Sequence, residues 1–347
     1  MNLESVTSRY VSGLEDELRA AIPQPANTPE PLTPFYAMLR YHLGWIDEKG
    51  NPQGNGGGKR VRPILCLLAC EAAGGNYRQA LPLAVAIELL HNFTLIHDDI
   101  QDKSEERRHH PTVWKIWGEG QGINAGDGMH ALAILTLLKL AERNVEPSLV
   151  VEANVRLNQT MVSLVEGQFL DLSFEQRMDV TLDQYMSMIE RKTAVLIGCA
   201  AELGAYVGSA DRDAAAKYGQ FGRGMGIAFQ IQDDILGIWG NTKDTGKPTG
   251  DDILQRKKTL PFLYGLQAAA GETKSRLVDA YSAKSVSDEQ VREVKDILTD
   301  LGAKEYAEEQ AKVHYEEALR RLEEAKPQGK AGQDLRLLAS ALLGRTR

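Results

Sequence analysis

Along most of the chain, apolar residues return every three or four positions. Ile87, Leu90, His91, Thr94 and Asp98 follow one another at such steps, and the spacing recurs around 130–141, 149–172, 183–208, 214–239 and 286–325. This is the period of a helix with one buried face. Strand-like alternation is hard to find, so the pattern predicts an all-α bundle of about ten helices, with ligands held between them. Punctuation is concentrated early: Pro23, Pro25, Pro29, Pro31 and Pro34 predict an extended segment, and residues 50–58 a flexible glycine-rich loop. Gly222, Gly224 and Gly226 disfavour a helix by propensity, yet they permit close helix packing or close approach of a ligand.

A chain of 347 residues with 43% hydrophobic content can bury one large core. We read it as a single domain over 1–347, with an N-terminal helix and Pro/Gly-rich segment at 1–56, a motif-bearing core at 57–264 and C-terminal helices at 265–347. The net charge of −8 and pI near 5.5 argue against a general nucleic-acid surface. Cys66, Cys70 and Cys199 lack the paired spacing of a disulfide framework, which fits a reducing, cytoplasmic setting. The start, MNLESVTSRY, has no signal or transit pattern, and apolar stretches such as 129–141, interrupted by Lys139, read as too short to span a bilayer.

Charge is scarce in the long apolar runs until two aspartate clusters end them: Asp98-Asp99-Ile100-Gln101-Asp102 and Asp233-Asp234-Ile235-Leu236-Gly237. On a helix, Asp98 and Asp102 lie roughly 40° apart around the axis and about 6 Å along it, so both carboxylates share a face and repel. Mg²⁺ relieves such repulsion, because it favours a few carboxylates, retained waters and phosphate oxygens. A lone acidic helix end reads equally well as a solvated surface. The second cluster, also closing an apolar helical run, points instead to a metal–diphosphate site.

Basic residues adjoin the acids. The stretch Gly57-Gly58-Lys59-Arg60-Val61-Arg62-Pro63 joins a glycine loop to a helix start, with Pro63 suited to the first helical position and free backbone N–H groups turned toward an anion. Lys59 and Arg62 would clamp a diphosphate there, Arg through its fork and Lys as a point charge. Arg107 and Arg108, if locally helical, project about 100° apart and so serve two different anions. Glu105 and Glu106 are their alternative partners.

The ordered set GGKRVRP, HNFTLIHDDIQD, RRHHPT, GQFLD, RKT, FQIQDD and GKPTGDDILQRKKTLP closely resembles the trans-isoprenyl diphosphate synthases, over about residues 57–264. The resemblance implies an isoprenoid synthase-type helical bundle with a central substrate cavity, usually a homodimer. Such enzymes condense an allylic diphosphate with isopentenyl diphosphate head to tail. Carried over by position, it implies Asp98, Asp102 and Asp233 as Mg²⁺ ligands gripping the allylic diphosphate, with Arg107, Lys192 and Lys247 neutralising the same group. Lys59, Arg62, His91 and Arg108 then form the isopentenyl diphosphate site, which needs no metal of its own. Thr193 and Gln230 stand beside the reacting carbons with Lys192, Lys257 completes the basic lining of the second motif, and Gln168 and Asp171 support that shell.

Two departures from the family pattern stand out. The second acidic motif ends in Gly237 where many relatives carry a third aspartate, and His109 and His110 stand where a glycine is common; adjacent placement on a polar loop reads as plain exposure for both. Bulky Phe93, five residues before Asp98, with small Thr94 beside it, resembles short-chain members that make the twenty-carbon geranylgeranyl product. The fifteen-carbon farnesyl product is the alternative. A class I terpene cyclase would share the acids and Mg²⁺ but has no need of a second diphosphate clamp. Head-to-head synthases usually space their acids more widely, and a non-catalytic subunit would be expected to lose ligands.

Overall fold

The computed structural model describes residues 3–54, 58–241 and 249–343. Among these residues helix dominates. Strand is confined to a hairpin pairing Glu106–Arg107 with His110–Pro111 and an isolated bridge from Ile46 to Pro52. Contacts gather the chain into two compact units interleaved along the sequence. One holds Met1–Leu157, Ala200–Ala216 and Pro327–Leu335; the other holds Asn158–Cys199, Lys217–Lys326 and Arg336–Arg347.

The first unit contains α1 (Leu3–Ala21), α2 (Thr33–His42), α3 (Val61–Ala72), α4 (Leu81–Gln101), α5 (Val113–Trp117), α6 (Glu119–Leu138) and the start of α7 (Pro147–Phe174). Helix α4 is its centre, packed by α1, α3 and α6, and all its side chains from Leu81 to Leu90 are buried. This corrects one expectation from the sequence. The helical stretch Tyr77–Gln101 is long and apolar enough to cross a membrane by length and composition, and 72% of its apolar window is buried within the fold, as in a core helix. The segment before α2 also differs: it forms two short 3₁₀ turns, Pro25–Asn27 and Glu30–Leu32, because proline suits the first positions of a turn. Helix α3 begins at Val61, which makes Pro63 its third residue and not its first.

The second unit contains α8 (Leu182–Ile189), α9 (Val195–Ser209) up to Cys199, most of α10 (Arg212–Trp239), and α11 (Asp251–Leu254), α12 (Leu260–Ala268), α13 (Gly271–Ser282), α14 (Asp288–Asp300) and α15 (Ala303–Glu324); α16 (Gly329–Leu343) contributes to both units. Its core sets Phe262 on Tyr281 at 3.5 Å, with Ile231, Ile238, Ile253 and Leu298 around them. The expected run over 286–325 is two helices, since Gly302 adopts φ 73° between them. The run over 183–208 is interrupted by a π-turn at Glu190–Ala194.

Glycines set the closest crossings. A Cβ on Gly204 or Gly208 of α9 would lie 2.2 Å from the carbonyl oxygen of Cys66 or Cys70. Likewise Gly224 and Gly226, both inside α10, meet Ala318 at 2.9 Å and Ala194 at 2.6 Å, so the glycine run is helical and tightly packed.

Candidate active site

Asp98 and Asp102 stand at the C-terminal end of α4, and the Asp102 N–H donates to the Asp98 carbonyl at 2.8 Å, which confirms their helical register. A helix C-terminus is the negative end of the macrodipole, so two acids there are electrostatically costly until a cation joins them. Asp98 is half-buried and Asp102 exposed, whereas Asp99 between them is buried. Asp99 receives Arg107: Nε donates to both carboxylate oxygens at 2.9 and 3.0 Å, and Nη2 lies 2.7 Å from Oδ1.

Arg107 and Arg108 are not helical. They sit in the hairpin, whose turn residues Arg108 and His109 take φ 53° and 64°, and this turn, not a helical 100° step, separates the two side chains. Their expected alternative partners are also displaced. Asp99 takes Arg107, while Glu105 pairs with Lys115 at 2.6 Å. His109 and His110 are exposed, as the loop reading implies.

Beside this lies a cationic cluster in the same unit. Arg62 Nη1 is 3.1 Å from His91 Nε2, and since guanidinium only donates, that ring nitrogen accepts and the proton belongs on Nδ1. Burial first, then the charges of Arg62, Arg108 and Arg107, hold His91 well below its ordinary pKa, so the ring is neutral. Arg108 reaches Gly58 so closely that a Cβ there would lie 2.8 Å from Nη2. Arg62, His91 and Arg108 therefore share one region, and the glycine loop that meets Arg108 leads directly into exposed Lys59. Arg60 plays a different part. It is buried with φ 48°, and its guanidinium is bound by Glu15 at 2.9 Å and Glu88 at 2.7 Å. Its neighbour His42 has a buried Nε2 with no hydrogen-bond partner and is lowered to about 3, by burial and then by Arg107, Arg108 and Arg60.

In the other unit, the π-turn places Lys192 and Thr193. Gly167 makes room for it, since a Cβ there would lie 2.3 Å from the Lys192 backbone nitrogen. Lys192 Nζ donates to Asp171 at 2.5 Å, beside buried Gln168. Thr193 Oγ1 donates to Gln230 Oε1 at 2.9 Å, and Gln230 Nε2 donates to Asp234 at 3.2 Å. Asp234 is a buried hub that also accepts from the Tyr185 hydroxyl and, at 3.1 Å, from the Leu260 N–H. Burial, reinforced by the Asp252 charge against these hydrogen bonds, pushes its carboxyl up to about 7. Asp233 instead is exposed, as is Lys257 just beyond α11. Lys247 lies outside the described residues.

Phe93, one turn before His97 on α4, stacks edge-on against it at 4.9 Å and meets the His130 ring of α6 at 5.2 Å. Thr94 turns its hydroxyl back onto the His91 carbonyl at 2.8 Å.

Among the described residues no three His, Cys, Asp or Glu side chains gather as a ready metal cage. The donors at hand are oxygen-only carboxylates on a helix end, a set that suits a hard cation sharing its shell with phosphate oxygens and water.

The polyprenyl synthetase family profile matches residues 45–298. The chain is 40% identical over 280 residues, 80% of its length and 77% of the relative's, to a (2E,6E)-farnesyl diphosphate synthase of Mycobacterium tuberculosis. It is 41% identical over 250 residues, 72% of its length and 70% of the relative's, to a geranylgeranyl diphosphate synthase of the same species. Its fold matches the crystal structure of a polyprenyl synthetase from Streptomyces coelicolor with TM-score 0.89 at 34% identity, covering 99% of this chain and 100% of that one. By its profile match, its relatives and its all-α fold, the chain belongs to the polyprenyl synthetase family of trans-isoprenyl diphosphate synthases and is a prenyltransferase.

Proposed function

We propose that the enzyme extends allylic diphosphates with isopentenyl diphosphate to geranylgeranyl diphosphate. The observation that carries this reading is Phe93, below Asp98 on α4 and backed by the His97 and His130 rings, a bulky stop for a growing chain. Replacing Phe93 with Ser should shift the product toward chains longer than twenty carbons. Unchanged product length in a radiolabelled assay would discard the assignment and leave the farnesyl product as the better reading.

The allylic diphosphate is assigned to Asp98, Asp102 and Asp233 with Mg²⁺, and to Arg107, Lys192 and Lys247. Mg²⁺ bound there supplies positive charge against the negative charge that grows on a departing diphosphate. Lys59, Arg62, Arg108 and neutral His91 hold the donor diphosphate by fixed cationic and hydrogen-bonding groups alone. A second clamp of this kind favours condensation over cyclisation. The Thr193–Gln230–Asp234 chain fixes the side-chain amide in one orientation, so its dipole can face the allylic cation without reorganising. No protein nucleophile is required: the isopentenyl double bond attacks the cation, and the proton then lost passes to the released diphosphate. Lys257 lines the same region.

The reading treats the chain as one catalytic domain that works as a homodimer in the cytoplasm. An apolar stripe on α7 supports the dimer: Val151, Val155, Val162, Val165 and Phe169 share one helical face and are 48–69% exposed. Exposed apolar surface of this extent commonly marks a protein interface. Cys66, Cys70 and Cys199 are buried thiols, in keeping with a reducing compartment.

A further inference from the structure

The hairpin that carries Arg107 and Arg108 is a slight structure. Its strands are two residues each, both turn residues take left-handed φ, and a two-stranded ribbon of this size has little stability of its own. Its geometry is therefore imposed by neighbours. At its base the Thr112 N–H donates to the Glu105 carbonyl and the Thr112 hydroxyl to the Ser104 carbonyl, both at 2.9 Å. A further anchor comes from far away in sequence. The hydroxyl of Tyr41, on the last turn of α2, donates to the Pro111 carbonyl at 2.7 Å, on the strand that pairs with Glu106–Arg107. Proline has no N–H, so this carbonyl is the only backbone hydrogen-bonding group Pro111 offers. Tyr41 is itself fixed: it is 8% exposed, and its ring meets Trp117 of α5 edge-on at 5.2 Å. Burial, then the Glu48 charge, pushes its hydroxyl up to about 12, so the proton stays on as donor. The next residue, neutral His42, is faced by Arg107 and Arg108, which sets the negative C-terminal end of α2 toward the hairpin's cations.

The two arginines differ in what else holds them. Arg107 has its own anchor in buried Asp99, to which Nε donates twice. Arg108 stands at the turn and follows the hairpin, its guanidinium brought against the Gly58 backbone. We propose that Tyr41 is a positioning residue for the donor substrate: by holding the Pro111 carbonyl it fixes the hairpin, and through the hairpin it aims Arg108 at the region shared with Arg62 and His91. The inference rests on the reading of Arg108 as part of the isopentenyl diphosphate clamp. Because Asp99 holds Arg107 independently, loss of the Tyr41 hydroxyl falls on the donor and spares the allylic substrate.

The test is steady-state kinetics of full-length Y41F, R108A and the double variant, with each substrate varied in turn. Y41F removes one oxygen and keeps the ring against Trp117, so its Tm should stay near that of the parent. Its KM for isopentenyl diphosphate should rise roughly three- to tenfold, the effect of one lost hydrogen bond, with kcat and the allylic KM kept, the mark of lost donor binding alone. R108A should raise the donor KM further, and adding Y41F to R108A should raise it no more, since the hydroxyl acts through that arginine. A parent-like donor KM in Y41F, an equal rise in both KM values, or a double variant in which the two single effects multiply overturns the proposal while the donor-clamp reading stands. A parent-like donor KM in R108A overturns both.

Discussion

His42 shows how far burial governs single groups here. Its unfolded form takes a proton near pH 6.5, while the folded ring, buried and faced by Arg107, Arg108 and Arg60, resists until about 3. The neutral ring's contribution to stability is complete above about pH 6.5 and is lost as the pH falls toward 3. His42→Gln should therefore flatten the dependence of unfolding free energy on pH by up to about 1.4 kcal/mol per unit between pH 6 and 4, read by urea denaturation at several pH values. An unaltered slope contradicts the assignment. The family-like strings single out Lys59, Arg62, His91, Thr193 and Gln230, and of these the fold joins Arg62 to His91 and Thr193 to Gln230. Local sequence could not separate Arg60 from Arg62. Arg60 is a buried structural cation only because Glu15 and Glu88, distant in sequence, arrive around it. The approach of Asp252 to Gly237 was hidden for the same reason, since it forms only after α11 has docked. Asp99 offered a faint signal: on a helix it points about 100° away from Asp98, toward the interior.

Among the elements, the helical period was legible almost everywhere, while the places where helices stop were not. The π-turn at Glu190–Ala194 preserves the apolar period on both sides, so periodicity alone reads through it. Gly302 breaks the run that the apolar period carried from 286 to 325, yet the same residue type runs helically at 222, 224 and 226, where packing partners reward the absent side chain. Whether Arg107 and Arg108 were helical was left open by the sequence, and the hairpin turn that settles it was hidden because two non-glycine residues, Arg108 and His109, accept positive φ there. One element, α7, offers a test of assembly. Glutamates at Val162 and Phe169, 61% and 69% exposed in the single chain, would place charges on the proposed dimer face at little cost to the fold. Light scattering should show the double variant as a monomer, with Kd raised at least about a hundredfold if two buried charges cost roughly 3 kcal/mol together. A parent-like dimer would move the interface elsewhere.

For the whole molecule, family membership and an all-α architecture follow from motifs whose joint order is far more specific than any one of them. The division into two compact units, each built from segments distant in sequence, was not legible, since all the boundaries but the one at 326–327, between α15 and α16, fall inside the continuous helices α7, α9, α10 and α16. Product length is the property on which the relatives' names differ, and in the proposed reading it depends on what blocks the prenyl tail beneath Asp98. The most direct measurement incubates purified protein with Mg²⁺, labelled isopentenyl diphosphate and each allylic diphosphate in turn, then sizes the dephosphorylated alcohols. Label should enter only when both substrates are present, and elongation should stop at twenty carbons. Hydrocarbons formed from the allylic substrate without incorporated label, or alcohols that stop at fifteen carbons with every primer, would contradict the account.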